Sequence, residues 1–486
     1  MSLNVSVLLV TVFCYFFGLF LIAHFTGKSS TNKDFFTGSR NSPWFVVAFG
    51  MVGASLSGVT FVSIPGWVLT NHWSYIQMVL GYGVGYAVIM YVLLPLYYKN
   101  NLTSIYQYLY KRLGNHSHIT ASVFFILSRI IGASFRLYLM TMVLHDFIFV
   151  HFGVPFWLTV FISLALIWSY TFKAGIKTII WTDTLQTFFM LGAVVIALIE
   201  LASALNLNFS ELITEIQKSP YSKSFFFESG WSDKANFFKQ FLGGALIAIV
   251  MTGLDQDMMQ KNLSCRSLAD SQKNIRWFYL ILVLVNILFL TLGVLLYLYA
   301  NKFGISLPTD SGGKTITDKV FPYLVFNHSP IYLAITFLIG LLAAAYSSAD
   351  SALTSLTTSY CVDILGDENP KKNHRILIHL AFSAILFVVI VSFYYLMTTS
   401  AIYGLFKIAS FTYGPLLGMY AFAIFTTRTA NDKSVPFVAI LSPLLSYLID
   451  SHSEKLLAGY KFGFELLALN GFLMFIGVLL FSKENN

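Results

Sequence analysis

Long apolar segments recur along the chain and are separated by short polar gaps. An α-helix needs about twenty apolar residues to cross the hydrocarbon core of a bilayer, and most of these segments reach that length. The pattern therefore predicts an all-α integral membrane protein of about thirteen transmembrane helices, with no stretch outside the membrane long enough for a separate domain. In chain order, the predicted spans cover residues 3–25, 43–70, 74–98, 118–148, 154–172, 178–202, 236–260, 275–302, 330–362, 374–398, 402–426, 434–450 and 462–481.

The composition agrees with a chain whose main solvent is lipid. Of its 486 residues, 57% are hydrophobic and 11% are charged, whereas a soluble protein of this length needs a far more charged surface. The net charge of +8 comes mostly from Lys and Arg in the short gaps, which favours a lipid bilayer over nucleic acid as the partner. The three cysteines and ten histidines have the spacing of neither a disulfide framework nor a zinc site.

The charges of the loops predict the orientation in the membrane. The first apolar run has no Lys or Arg ahead of it and is long enough to span, so we interpret it as a retained helix rather than a signal peptide. With the N-terminus outside, the cytoplasmic loops hold about twice as many basic residues as the opposite side, as expected for a multi-pass protein of the plasma (inner) membrane with a cytoplasmic C-terminus. The residues predicted to be cytoplasmic are Lys28, Lys33, Arg40, Lys99, Lys111, Arg112, Lys173, Lys177, Lys261, Arg266, Lys273, Arg276, Lys371, Lys372, Arg375, Arg428, Lys433 and Lys483.

Two spans contain small and helix-weakening residues at mid-depth. The second span is rich in Gly, Ala, Ser and Thr between Gly50 and Thr60 and continues through Pro65-Gly66. Such a segment either unwinds, which frees carbonyls for a cation, or packs closely against a neighbouring helix. The seventh span is interrupted in a similar way by Gly243-Gly244 and by the stretch from Thr252 to Asp257. Paired interruptions five helices apart indicate a transporter built from inverted repeats.

The ninth span carries the most specific chemistry. Ala344, Ser347 and Ser348 share one helical face. One turn further along, Asp350 and Ser351 continue this face from Ser347. Hydroxyl and carboxylate oxygens are the ligands that hard cations prefer, although serines alone are also common as packing residues. An ionised Asp350 at the centre of a span costs about 2.5–3.5 kcal/mol, so this charge should have a partner.

Further charged residues lie within or beside predicted spans. Asp183, near the start of the sixth span, is either a helix N-terminal acid or part of a site. Asp255 and Asp257 end the seventh span, and a cytoplasmic boundary explains Asp257 more readily than Asp255. Arg129 and Arg136 lie seven residues apart on one face of the fourth span. Arg129 could extend towards the cytoplasm, whereas Arg136 either pairs with an internal acid or meets an anionic group of a solute.

Four motifs stand out along the chain. Asp34-Phe-Phe-Thr-Gly-Ser-Arg40 precedes the second span, and Ala174-Gly-Ile-Lys-Thr-Ile-Ile-Trp-Thr-Asp-Thr-Leu-Gln186 begins the sixth. Gln260-Lys-Asn-Leu-Ser with Ser267-Leu-Ala269 follows the seventh span, and Ser347-Ser348 with Ser351 runs into Val362-Asp363-Ile364 in the ninth. Together these motifs resemble those of the sodium:solute symporter family, which includes the sodium/glucose and sodium/proline cotransporters. The matches are spread through most of the chain.

The resemblance implies a leucine-transporter-type core of two inverted five-helix repeats within a single transmembrane domain, residues 1–486. The repeats fall on residues 43–202 and 236–426, with an extra helix at 3–25 before them and two helices at 434–481 after them. The resemblance also implies a sodium-coupled secondary active symporter, not an enzyme, that imports a small polar organic solute by alternating access.

The resemblance further implies where the ligands bind, with Na⁺ as the coupling ion. The family's sodium site falls on the carbonyls of Gly53, Leu56 and Ala344 and the hydroxyls of Ser347 and Ser348. A second cation site, found in some relatives, falls on Asp183, Ser347, Asp350 and Ser351. By analogy, the substrate-binding residues are Ser57, Thr60, Gln77, Arg136, Asp255 and Gln256.

Two positions separate this chain from parts of the family. Family members commonly have a small residue where Asp350 stands, so the added carboxylate could strengthen the second cation site or bind a proton. Thr60 replaces the glutamine typical of the sugar transporters. Ser57, Thr60 and Arg136 together resemble the layout of sialic-acid transporters in the family. An acidic sugar or another carboxylate is therefore a possible solute beside a plain sugar.

Other functions are alternatives on the sequence alone. Proton coupling through Asp183 or Asp350 is a variant of symport. A channel or a sensor could share the scaffold, although only a short tail follows Lys483, where some relatives carry a kinase domain. A membrane enzyme would need a nucleophile–base or metal constellation, which the sequence does not show. The role of Lys407, in the eleventh span, is left open.

Overall fold

A computed structural model describes residues 5–26, 31–172, 175–396 and 401–484. Lys28, Lys173 and Ala174, which enter the sequence predictions, lie outside the described residues, as do the predicted ends of the first and tenth spans at residues 3 and 398. Within the described residues, helices dominate and β structure is limited to isolated bridges. The predicted all-α fold class is confirmed.

The helices of the described residues match the predicted spans. Eight are long and apolar enough to cross a membrane, three bent helix pairs qualify when each pair is taken as one span, and two shorter apolar helices accompany them. Each of the thirteen predicted spans therefore has a helical counterpart. In chain order these are Ser6–Phe25, Trp44–Ser55 with Gly58–Asn71, Tyr75–Lys99, Asn115–Phe147, Phe156–Thr171, Ile176–Ala204, Phe237–Gly253 with Gln256–Leu263, Leu268–Lys302, Ile331–Ile364, Lys372–Leu396, Tyr403–Thr412 with Gly414–Phe425, Asp432–Ser451 and Leu466–Leu480.

The second span is broken rather than continuous. Its two helices end at Ser55 and begin at Gly58, meet at an angle of 59°, and leave Ser57 between them with φ −15° and ψ 173°. The close-packing interpretation also holds, because a Cβ added to Gly53 would overlap the Thr187 hydroxyl of the sixth span. The small residues of this segment thus serve an interrupted helix and a tight helix contact at once.

The seventh and eleventh spans are broken as well. The seventh bends by 64° between Gly253 and Gln256, as its Gly-interrupted sequence predicts. The eleventh bends by 44° at Tyr413, and this break was not predicted. Its signal in the sequence is Gly414-Pro415, because a proline disfavours a continuous helix through the residues before it.

The seventh span continues to Leu263, beyond its predicted end at residue 260. Lys261 therefore lies on a helix with 1% of its side chain exposed, and its predicted place in a cytoplasmic loop is wrong. Burial of this cation is tolerated because its ammonium pairs with Asp183 Oδ2 at 2.6 Å. Arg375, from the same predicted set, is also buried, and its guanidinium donates to Asn32 Oδ1 at 2.6 Å.

Three of the motifs singled out in the sequence meet at one end of the helix bundle. The short helix Asn32–Thr37, ahead of the second span, carries the first four residues of the first motif. Gln260 Nε2, at the end of the seventh span, donates to the carbonyl of Phe36 at 2.6 Å. Gly175, before the sixth span, lies so close to Phe35 that a Cβ there would overlap it. The motifs are thus partners in one tertiary contact.

Glycines allow the third and seventh spans to pack with their backbones in direct contact. A Cβ added to Gly244 would overlap the carbonyl of Met78, and a Cβ added to Gly81 would overlap the carbonyl of Phe241. Close backbone approach through small residues is a main source of helix association in lipid, where the hydrophobic effect does not distinguish one apolar surface from another.

We expect Gly244→Ala to destabilise the protein by about 1–3 kcal/mol, because the added methyl group must push the two spans apart. Thermal unfolding of the purified protein in detergent measures this as a lower Tm. Gly192→Ala is the matched control, since a Cβ at Gly192 meets nothing within 4 Å. Equal Tm values for the two variants would contradict the role of this contact.

Candidate functional site

A central cavity lies at the break of the second span. It is lined by residues of the second, third, fourth, seventh, eighth and eleventh spans, and about 680 Å³ of its space is not filled by atoms, including a part open to solvent. Three of the nominated substrate residues line this cavity, namely Ser57, Thr60 and Arg136. The break therefore brings a polar backbone segment and a guanidinium to the same space.

Arg136 is the charged group of this cavity without a protein partner. Among the described residues it makes no ion pair and no hydrogen bond, and its Nε is buried and unpaired. Its side chain is buried in the fourth span, where a lone cation is costly. The sequence left two alternatives for Arg136. The structure does not show the first of them, a pair with an internal acid.

The arginine that pairs with internal acids is instead Arg129, two helical turns from Arg136. Its guanidinium is bonded to Asp257 and lies 3.9 Å from Asp255 Oδ2. The Tyr413 hydroxyl donates to the same Asp255 oxygen at 2.5 Å. The predicted extension of Arg129 towards the cytoplasm is thus wrong, and Asp257 is a buried ion-pair partner rather than a boundary marker.

The nomination of Asp255 as a substrate residue is not supported by its surroundings. Its Oδ1 caps the helix Gln256–Leu263 by accepting from the amides of Asp257 and Met258 at 2.9 and 3.3 Å. Its Oδ2 is taken by Tyr413 and Arg129. Both carboxylate oxygens are therefore used within the protein, because the break of the seventh span leaves amides that need an acceptor.

Gln77 and Gln256 lie outside the central cavity, and their side-chain amides form hydrogen bonds with the backbone of loops. The Gln77 amide donates to the carbonyl of Ala235 and accepts from the amide of Phe226, both at 2.9 Å. The Gln256 amide accepts from the amide of Ile105 at 3.0 Å and donates to the carbonyl of Thr103 at 3.1 Å. A side-chain amide that is satisfied by loop backbone on both sides has little capacity left for a solute.

The serine-bearing face of the ninth span packs against the break of the second. Ser348 Oγ donates to the carbonyl of Ala54 at 3.0 Å, next to the nominated carbonyls of Gly53 and Leu56. The helix end at Ser55 leaves the last carbonyls without intrahelical partners. A hydroxyl oxygen therefore lies close to backbone carbonyl oxygens here, and oxygen ligands of these two kinds suit an alkali cation such as Na⁺.

Two of the nominated second cation residues, Asp183 and Ser347, are hydrogen-bonded to each other, and Asp183 has a further partner that was missed. Ser347 Oγ donates to Asp183 Oδ1 at 2.7 Å, and Lys261 Nζ binds Asp183 Oδ2 at 2.6 Å. Asp183 is thus fully buried and paired, not a solvated helix-terminal acid. Its need for a counter-ion, together with a lysine in the Gln260-Lys261 motif, was the signal that could have identified this pair.

Asp350 has polar partners but no basic one. The Tyr170 hydroxyl donates to its Oδ2 at 3.1 Å, and the Ser351 amide donates to its Oδ1 at 2.6 Å. Among the ion pairs of the described residues, none includes Asp350. The sequence predicts a partner for the charge of Asp350. The structure supplies a phenol and an amide, and neither neutralises a carboxylate.

Several cavity residues were missed by the sequence analysis. Asn286 lies in the middle of the apolar eighth span, and this isolated amide is a signal that could have found it. The aromatic residues of the third span carry no such signal, because tyrosines are frequent throughout the chain. Lys407, whose role was open, pairs with Asp450 at 3.4 Å outside the central cavity. The missed tyrosines that line the cavity are Tyr75, Tyr82 and Tyr86.

The chain matches known proteins over most of its length. The model of the sodium:solute symporter family matches residues 35–433. The sodium/sialic acid symporter SiaT of Proteus mirabilis is 25% identical over 458 residues, which cover 92% of this chain and 89% of that protein. The sodium/sialic acid symporter NanT of Aliivibrio fischeri is 24% identical over 448 residues, covering 90% of this chain and 86% of the relative.

Solved structures with the same fold are also transporters. The substrate-bound outward-open state of a Na⁺-coupled sialic acid symporter has a TM-score of 0.81 at 22% identity and covers 98% of this chain and 99% of its own. The nucleobase-cation symporter Mhp1, closed with bromovinylhydantoin bound, has a TM-score of 0.55 at 14% identity and covers 93% and 94%. These likenesses confirm the predicted leucine-transporter-type architecture of the chain.

The two arginines of the fourth span should respond in opposite ways to removal of their charge. We expect Arg129→Met to lower the free energy of unfolding by about 3–5 kcal/mol, because it leaves Asp255 and Asp257 buried without a counter-charge. Arg136→Met should leave stability unchanged or raise it, because it removes a buried cation that has no partner. Thermal unfolding of both variants in detergent provides the comparison, and an equal loss of stability would show that Arg136 has a partner in the protein.

Proposed function

The chain belongs to the sodium:solute symporter family, and on this premise we propose that it is a sodium-coupled importer of a small organic solute that carries a carboxylate. The observation that carries the proposal is Arg136, a buried guanidinium that faces the central cavity and has no partner among the described residues. A solute carboxylate would neutralise this charge and could accept two parallel hydrogen bonds from it.

The remaining polar groups of the central cavity suit a hydroxylated solute. Ser57, Thr60 and Asn286 offer two hydroxyls and an amide, and the three tyrosines of the third span add aromatic faces with hydroxyl ends. A sugar acid combines a carboxylate with several hydroxyl groups, so it matches both features. Sialic acid, the solute named for the relatives SiaT and NanT, is therefore our first choice.

The sodium ion is proposed to bind between the broken second span and the ninth span. Its ligands would be the carbonyls of Gly53, Leu56 and Ala344 and the hydroxyls of Ser347 and Ser348. The contact of Ser348 with the carbonyl of Ala54 supports this placement, because it shows that the two segments touch at the break. Ser57 and Thr60 follow directly on the same broken segment, so an ion that fixes the break also fixes one wall of the cavity.

This arrangement couples the ion to the solute. If sodium orders the wall that contacts the solute, each ligand raises the affinity for the other by the same factor, as linkage requires. Each positive charge that moves inward across the membrane then contributes about 2.3 kcal/mol per 100 mV to uphill uptake. A second cation position is proposed in the region of Asp183, Ser347, Asp350 and Ser351.

Alternating access is proposed to arise from two inverted repeats, residues 43–202 and 236–426. The first helix of each repeat is broken, by 59° in the second span and by 64° in the seventh, which supports their equivalence. Rocking of one group of helices against the other would expose the cavity to each side in turn. The excess of Lys and Arg in alternate loops supports an N-terminus outside and a C-terminus in the cytoplasm.

The carboxylate assignment is tested by uptake of N-acetylneuraminate into proteoliposomes under a sodium gradient. We expect Arg136→Met to weaken the apparent affinity at least about tenfold, since hydrogen bonds to charged groups contribute about 1.5–3 kcal/mol each. Arg136→Lys should lie between this variant and the wild type, because it keeps the charge but loses the planar fork. The methyl ester of the same sugar acid is the control, and Arg136→Met should not change its weak competition. Undiminished uptake of the acid by Arg136→Met would refute the assignment.

The sodium site is tested through the dependence of thermal stability on sodium, with choline chloride keeping the ionic strength constant. Ser348→Ala removes one oxygen ligand, so the sodium concentration for half-maximal stabilisation should rise about tenfold. Ser446→Ala is the matched control, because Ser446 is also a buried helical serine but lies in the twelfth span and donates to the carbonyl of Ser442. An unchanged sodium dependence in Ser348→Ala would count against the site.

A further inference from the structure

Lys261 is the charged residue in the cation region that the proposed function does not use. It lies on the helix Gln256–Leu263, just past the break of the seventh span, and 1% of its side chain is exposed. Its Nζ binds Asp183 Oδ2 at 2.6 Å, and this is the hydrogen bond that its ammonium makes among the described residues. Asp183 is equally buried and accepts the Ser347 hydroxyl at its other oxygen, at 2.7 Å.

The ammonium of Lys261 occupies the position in which a cation ligated by Asp183 would lie. An ion pair at this distance neutralises the carboxylate, and one oxygen already accepts a serine hydroxyl. A sodium ion that displaced the ammonium would leave Nζ buried without the hydrogen bond that it makes among the described residues. Displacement would therefore keep the Asp183 carboxylate neutralised but leave the buried Lys261 ammonium without its ion-pair partner.

The charges of this region do not balance without one further positive charge, which a bound cation or a proton on Asp350 supplies. Asp183 and Asp350 contribute two carboxylates, and Lys261 contributes one ammonium that interacts electrostatically with both. Asp350 is fully buried and receives hydrogen bonds from the Tyr170 hydroxyl and the Ser351 amide, neither of which carries a charge. The Ser351 hydroxyl beside it is buried and makes no hydrogen bond. The uncompensated carboxylate is therefore that of Asp350, and a free oxygen ligand lies next to it.

We propose that Lys261 is a built-in counter-cation that replaces a coupling ion at Asp183, so that the second cation of this transporter depends on Asp350 and not on Asp183. The inference rests on the proposed function, in which sodium binds at the ninth span. Its consequence is that a residue outside the ligand shell sets the number of sodium ions: the protein binds one fewer than its buried carboxylates would otherwise require.

Equilibrium binding of radioactive sodium to the purified full-length protein, in mildly alkaline buffer with choline as the replacement cation, counts the sodium sites without a known solute. We expect Lys261→Met to bind one more sodium ion per protein than the wild type, because Asp183 is left without its ammonium. Lys261→Arg should keep the wild-type number, because the guanidinium restores the positive charge. An unchanged number in Lys261→Met would overturn the inference.

A double variant covers the case in which Lys261→Met does not fold. Asp183→Asn with Lys261→Met removes both charges of the pair and should keep the wild-type number of sodium ions. A loss of one ion in this double variant would overturn the inference, because it would identify Asp183 itself as an ion ligand. Asp350→Asn, in contrast, should lose one ion, and retention of the full number there would equally overturn it.

Lys239→Met provides the matched control for the loss of a buried lysine. Lys239 is 2% exposed and lies 3.4 Å from Glu465, but it belongs to the other end of the seventh span, so the sodium number should stay that of the wild type. The wild type itself separates the two proposals. Failure to bind any sodium would refute the proposed function, whereas sodium binding that is insensitive to Lys261 would refute only the role of this residue.

Discussion

The main physical constraint on this structure comes from the helices that are interrupted inside the bilayer. Backbone carbonyls and amides freed at a break find no water in the hydrocarbon core, so the protein itself must satisfy them. At the break of the second span, the ninth span supplies the Ser348 hydroxyl for the carbonyl of Ala54. At the break of the seventh, the Asp255 side chain accepts from the amides of Asp257 and Met258. The first of these breaks lies beside the residues that we propose as the sodium site, and the second lies in the ion-pair network of Arg129, Asp255 and Asp257.

Buried charges also need partners within the protein, and the two that make no ion pair are the candidates for ligand binding. Arg129 pairs with Asp255 and Asp257, and Lys261 pairs with Asp183, as expected where the surroundings do not solvate an ion. Arg136 and Asp350 make no ion pair within the described residues. One is a cation facing the central cavity, and the other is an anion on the serine-bearing span. We propose a solute carboxylate as the ligand of the first and a sodium ion as the ligand of the second.

The side-chain amides show why residue type alone does not identify a binding group. Gln77, Gln256 and Asn286 are all buried amides within or beside spans. Gln77 and Gln256 are used up by the backbone of loops, whereas Asn286 lines the central cavity. What distinguishes them is whether an irregular segment folds back onto them. Loops can do this only near the ends of spans, where backbone groups remain without helical partners.

The sequence by itself determined the class, the number and places of the spans, two of the three breaks and the serine-bearing face of the ninth span. These are properties of local composition, because hydropathy over about twenty residues and runs of Gly and Ser act on the chain where they occur. The resemblance of its motifs to those of the family added the prediction of a leucine-transporter-type architecture. Only the tertiary structure decided which charges are paired. Arg129 meets an acid 128 positions away and Lys261 meets one 78 positions away, and no local pattern encodes such a distance. In a medium of low dielectric constant, that pairing separates the structural charges from the two that make no ion pair and that we propose as ligand-binding groups.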